Sequence, residues 1–174
     1  MRTKIGGKQI LSIKQIISIS LVLAWMGLIF VFSARNADLS TNDSNLVGWF
    51  IGRHFVPGFA DWTEAARQEF VENIDFFVRK VAHFLEYTVL GAMVGNAARN
   101  ANIGPRKEFA SWLICIIYAA TDEIHQYFVP GRACRLMDVA IDSAGALVGV
   151  AIFAMILTVL RHAGGRTCTR MVGW

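Results

Sequence analysis

The chain has 174 residues, 55% of them hydrophobic, and a formal charge of +4. That length fits one domain spanning residues 1–174. The apolar fraction lies at the upper edge of soluble proteins, and the basic excess forms no stripe with interleaved aromatics, which argues against a nucleic-acid partner. Three cysteines, Cys115, Cys134 and Cys168, match no zinc or redox spacing and argue against a disulfide framework.

Four apolar runs predict an all-α polytopic membrane helical bundle of about four spans. The first run is 16–32, preceded by Arg2, Lys4, Lys8 and Lys14. It is longer than a signal-peptide core and has no clean small-x-small site after it, so a span is the preferred reading. Next comes a long connection. Thr41–Ser44 reads as polar and flexible. Leu46–Phe59 is apolar but interrupted by Gly52 and Pro57, and reads as an interfacial segment. Asp61 or Thr63 is placed to cap a following helix. Phe70, Ile74, Phe77, Val78 and Val81 recur at helical spacing and carry that helix into the second span, 81–98. The third and fourth spans are 109–129 and 138–160. Each run has about the ~20 residues that a bilayer core requires, and such unbroken runs suit helices better than barrel strands. Trp49, Trp62 and Trp112 suit interfacial belts.

Basic residues orient the bundle. The N-terminal segment, the 99–108 loop and the tail hold ten Lys and Arg against one acid, Glu108. Both termini and that loop are therefore expected in the cytoplasm, with the 34–80 connection and the 130–137 turn outside. The expected location is the cell membrane, multi-pass.

This topology brings polar residues of three helices to one depth at the outer end: His83, Glu86, Asp122, Glu123, His125, Gln126, Asp138 and Asp142. Helical geometry groups them on shared faces. Arg79, Lys80, His83, Glu86 and Tyr87 share one arc. Cys115, Tyr118, Asp122 and Gln126 form a stripe, with His125 about 60° off it. Asp138, Asp142, Gly145 and Gly149 form another, and glycines at that spacing let helices approach closely. A charge deep in the bilayer costs roughly 2.5–3.5 kcal/mol on insertion scales, so these carboxylates call for partners, water, a cation or protons. Val129-Pro130-Gly131-Arg132 has the pattern of a tight turn that aims Arg132 over the cluster.

Three motifs at this end resemble the VanZ-like family. They are Arg79-Lys80-Val81-Ala82-His83-Phe84-Leu85-Glu86-Tyr87 with Leu90-Gly91, then Thr121-Asp122-Glu123-Ile124-His125-Gln126-Tyr127-Phe128-Val129-Pro130-Gly131-Arg132, and finally Asp138-Val139-Ala140-Ile141-Asp142-Ser143-Ala144-Gly145 with Gly149. Ile29-Phe30-Val31-Phe32-Ser33 also fits, and the resemblance covers about 23–149. Ala133-Cys134-Arg135 departs from the usual pattern. The resemblance implies a small bacterial protein of the cell envelope, and the founding member is associated with resistance to teicoplanin. It implies no particular chemistry.

The candidate catalytic residues are Lys80, His83, Glu86, Asp122, Glu123, Gln126, Arg132, Asp138 and Asp142. His83 and Glu86, at i and i+3, are spaced to share a proton. Asp122 or Glu123 is a candidate general base. Arg132 and Lys80 suit a phosphate or carboxylate. Asp138 and Asp142 offer hard oxygen ligands to a divalent cation, and His83, Glu86 and an aspartate are a weaker zinc set. The expected partners are membrane lipid and an envelope lipid-linked or glycan substrate; no organic cofactor is expected. The competing readings are a structural salt-bridge network pinning three helix ends, and a proton or ion pathway. No ionisable residues continue such a pathway toward the cytoplasmic half.

Overall fold

The computed structural model describes residues 4–5, 8–9 and 11–169, excluding the side chains of 4, 5, 8, 9, 37, 38 and 164–169. The side chain of Cys168 and residue Arg170 therefore lie outside the described residues. Apart from a two-residue antiparallel pairing of Lys4–Ile5 with Lys8–Gln9, the described chain is helical. Five helices follow in order: α1 (Ile13–Ser33), α2 (Ala37–Phe55), α3 (Glu64–Ala101), α4 (Lys107–Gln126) and α5 (Leu136–Thr169).

Local signals set the boundaries. Ser12 and Gln15 form a reciprocal capping box at the start of α1. Thr63, one of the two predicted caps, accepts from the Ala66 N–H at 3.3 Å and opens α3. Asn102 ends α3 in the left-handed region, at φ 54°, a conformation that its short polar side chain tolerates. Val56 is extended ahead of Pro57, as the proline ring demands, so α2 stops at Phe55.

Two expectations for the long connection need correction. Thr41–Ser44 is not a flexible stretch but part of α2, which Asn36 caps through the Leu39 N–H. Gly52 does not interrupt that helix. It makes room for Phe59, since a Cβ there would lie 2.5 Å from the Phe59 ring. Phe59 in turn packs edge-on against Trp49 and Phe70.

The α3–α5 crossing organises the bundle. A Cβ on Gly145 would sit 2.3 Å from the Phe84 carbonyl oxygen, and one on Gly149 would sit 1.9 Å from that of Thr88. Gly91 does the same in the opposite direction, 2.2 Å from the Ala146 oxygen. The backbones therefore touch where the glycine stripe predicts it, and Gly91 from the first motif completes the contact. Tyr87, Leu90, Val94, Cys115, Ala119, Ala146 and Ile29 make the apolar core beside this crossing. Indoles stitch the helices together: Trp25 Nε1 donates to the Glu86 carbonyl at 3.0 Å, and Trp112 Nε1 to that of Ser143 at 2.9 Å. Trp112, expected in an interfacial belt, thus serves helix packing.

Two helical segments, Ile13–Ser33 and Leu136–Ala163, are long and apolar enough to cross a membrane. Most of their surface is not covered by the protein: Ile13, Leu21, Leu23, Val31, Met155, Val159 and Leu160 are all exposed. α3 and α4 are interrupted by polar residues of the motifs. The third apolar run also ends early as a helix, because α4 stops at Gln126 and Tyr127–Val129 turn away from it.

Candidate functional site

Every candidate residue lies at one end of the bundle. Lys80, His83 and Glu86 come from consecutive turns of α3. Asp122, Glu123 and Gln126 come from the last turns of α4. Asp138 and Asp142 come from the first two turns of α5. Arg132 sits in the α4–α5 turn, whose Arg132 N–H donates to the Val129 carbonyl at 3.1 Å. Gly131 has φ 75°, the value a type II turn needs at its third position. Pro130 and Gly131 thereby bring Arg132 back over the helix ends.

Asp122 is the most firmly held group. It is 2% exposed, and its Oδ2 accepts from Ser33 Oγ at 2.8 Å and from Gln126 Nε2 at 3.2 Å. Its Oδ1 has no hydrogen-bond partner among the described residues. Asp142 is fully buried, and neither of its oxygens has one. His83 Nδ1 lies 3.9 Å from Asp142 Oδ1 and 4.0 Å from Glu86 Oε2, too far for a hydrogen bond to either. Donor atoms of His83, Asp122 and Asp142 all fall within 4.8 Å of one another. Glu123 is tied elsewhere, accepting from the Arg135 N–H at 2.9 Å.

The cations are distributed unevenly. Lys80 pairs with Asp138. Arg79, expected to serve the cluster, instead bonds Asp75 at 2.6 Å and Thr41 Oγ1 at 3.2 Å. Asp75 also accepts from Ser44, so it fastens α2 to α3. Arg132 forms no ion pair among the described residues, and its Nε is buried without a partner. Burial, then the neighbouring Arg79, pull its guanidinium below the usual value, yet arginine stays charged across the accessible pH range. His125, off the main stripe, stacks on Phe30 with ring centroids 4.2 Å apart.

Two cavities flank His83. The larger, ≈ 220 Å³, opens between the end of α1, α2 and α3; Arg35, which pairs with Asp43, together with Arg79, His83, Glu86 and Arg132 supplies its charged wall, and Phe32, Val47 and Val78 its apolar one. The smaller, ≈ 100 Å³, includes Lys80, His83, Gln126, Arg132, Arg135 and Asp138. Arg79, His83 and Arg132 border both.

Sequence reasoning missed the contribution of α2, which supplies Ser40, Asp43, Ser44 and Val47 to the larger cavity. It also missed Ser33 as the donor that orients Asp122. The spacing of Asp75 and Arg79 at i, i+4 was the available signal for the first. No signal fixed the second, because Ser33 and Asp122 are 89 residues apart.

An apolar helical bundle with buried, unpaired acids and a charged cavity at one end defines a membrane protein with a polar terminal site. A family model described as VanZ/LLP1 matches residues 18–158, and the chain belongs to this family. The match takes in all three motifs and Ser33. No curated protein and no solved structure matches the chain.

Proposed function

We propose that this VanZ/LLP1-family protein spans the cell membrane four times and uses its outer polar end to hold an anionic headgroup of an envelope lipid-linked or glycan substrate. In this topology residues 81–98 of α3 and the body of α4 are the second and third spans, and both termini lie in the cytoplasm. The cavity carries the reading. It is open, it has an apolar wall beside a charged one, and Arg132 borders it without an acid of its own. A knot built only for stability would pair these charges, since breaking a buried pair is costly; here Lys80–Asp138 is the single Lys or Arg ion pair among the candidate residues.

The roles follow from position. Arg132, which has no ion pair among the described residues, suits a phosphate or carboxylate, whereas Arg35 and Arg79 on the same wall are paired with Asp43 and Asp75. His83 and Glu86 stand on that wall close enough for one bridging molecule to reach both, which suits proton transfer at a bound headgroup. Val47, Val78 and Phe32 suit the adjoining lipid stem. The envelope phenotype to score is teicoplanin susceptibility.

Asp122→Asn and Glu86→Gln test this reading in a host that depends on the chain for the phenotype. Each is expected to abolish the phenotype while the membrane level of the protein stays at wild-type. Parallel loss of abundance and phenotype in both variants would show a structural role instead.

A further inference from the structure

Buried polar atoms in folded proteins almost always have hydrogen-bond partners. At the junction of α3, α4 and α5 several have none among the described residues: both oxygens of Asp142, Oδ1 of Asp122 and Nδ1 of His83. The carboxylate oxygens can only accept when ionised, and a neutral imidazole nitrogen without its proton is an acceptor too. His83, Asp122 and Asp142, from three helices, each place one donor atom within 4.8 Å of the others. Local cations do not answer them: Lys80 is engaged by Asp138 and Arg79 by Asp75, and Arg132 bonds none of the three among the described residues. We propose that His83, Asp122 and Asp142 together bind one divalent first-row transition-metal ion behind the cavity wall that His83 forms.

The donor set fits such an ion. One imidazole nitrogen with two carboxylates is a mixed set of the kind used by zinc, manganese and iron. Ligands of one tetrahedral ion with bonds of ~2.1 Å lie ~3.4 Å apart, so donors spread over as much as 4.8 Å must draw in by about 1 Å on binding. The surroundings hold them for it. Ser33 and Gln126 both bond Oδ2 of Asp122, fixing the carboxylate and leaving Oδ1 free; outer groups of this kind orient metal ligands. The glycine crossing fixes the other pair, since Gly145, three residues after Asp142, packs on the carbonyl of Phe84, next to His83. Three protein ligands leave a position open for water or a ligand atom. His83 lines both cavities, so the ion would lie next to the space proposed for the headgroup.

The full chain, purified in detergent, tests this by metal content and titration. After growth in zinc- or manganese-supplemented medium, one equivalent per chain is expected by elemental mass spectrometry. Chelation should remove it, and Zn²⁺ or Mn²⁺ alone should restore it. Asp142→Asn and His83→Ala should retain less than a tenth of the wild-type metal. Ser33→Ala should still fill at saturation but bind 10–100-fold more weakly. Because Asp142→Asn can disturb folding, each variant is also checked for a monodisperse elution profile, and Ser33→Ala carries the conclusion if Asp142→Asn aggregates. Wild-type protein that takes up neither ion, or a monodisperse His83→Ala that takes up as much as wild-type, overturns the assignment. Arg132→Ala separates this claim from the headgroup reading: it should keep the metal whether or not headgroup binding is lost.

Discussion

At the scale of single residues, the polar end is defined by which groups are satisfied and which are not. Asp122 has one oxygen fixed by Ser33 and Gln126 and one left open. Removing the Ser33 hydroxyl strips a donor from a buried carboxylate, which costs about 1–3 kcal/mol. Ser33→Ala should therefore lower the stability of the purified chain by that amount in a denaturant titration. Gly131 makes a second residue-scale case. Its φ of 75° costs a residue with a Cβ about 1–2 kcal/mol. Gly131→Ala should destabilise by about that much and also weaken headgroup binding, because the turn that presents Arg132 relaxes. Substituting alanine at exposed Gly27, which has nothing within 4 Å of an added Cβ, should change stability by less than about 1 kcal/mol, in the stabilising direction for a helix interior.

At the scale of elements, much of the architecture was legible because it rests on local chemistry. The stripe of Asp138, Asp142, Gly145 and Gly149 forecast the close crossing, since helical periodicity alone puts small residues on one face. Thr63 forecast the start of α3, and Pro130-Gly131 forecast the turn. What could not be read was set by distant contacts. Gly52 looked like a helix breaker, yet the Phe59 ring fills the space it leaves. Thr41–Ser44 looked like a loop, yet Asp75 and Arg79 from α3 anchor it as helix through Ser44 and Thr41. Arg79 is the exception: it looked like a partner for the motif acids, yet its partner Asp75 lies one turn away on its own helix, a spacing legible in the sequence. The crossing itself makes a sharp prediction. An added methyl at Gly149 meets backbone at 1.9 Å, and backbone cannot step aside as a flexible side chain can. Gly149→Ala should cost more than the roughly 1–3 kcal/mol typical of overpacking, seen as a large fall in melting temperature, while Gly27→Ala serves as the benign comparison.

At the scale of the whole molecule, the family, the exposed apolar surfaces of α1 and α5 and the polar end make a coherent membrane protein. Among the described residues Lys14, Arg99, Arg106, Lys107 and Arg161 lie toward the opposite end, the asymmetry from which the proposed orientation follows. Native cysteines report on it. Cys134 is exposed in the α4–α5 turn and Cys115 is buried in the core. A membrane-impermeant thiol reagent should label Cys134 in intact cells and leave Cys115 unmodified; labelling of Cys134 only after permeabilisation would invert the topology. On the proposed reading the polar end receives an anionic ligand rather than merely tying helices together. Arg132 tests it most directly, because it borders both cavities and has no ion pair among the described residues. Native mass spectrometry of the purified chain with a polyprenyl phosphate should show binding to wild-type and at least a tenfold weaker complex with Arg132→Ala, at unchanged melting temperature. Equal binding by both proteins, or a loss that only follows unfolding, would show that Arg132 holds no anionic ligand.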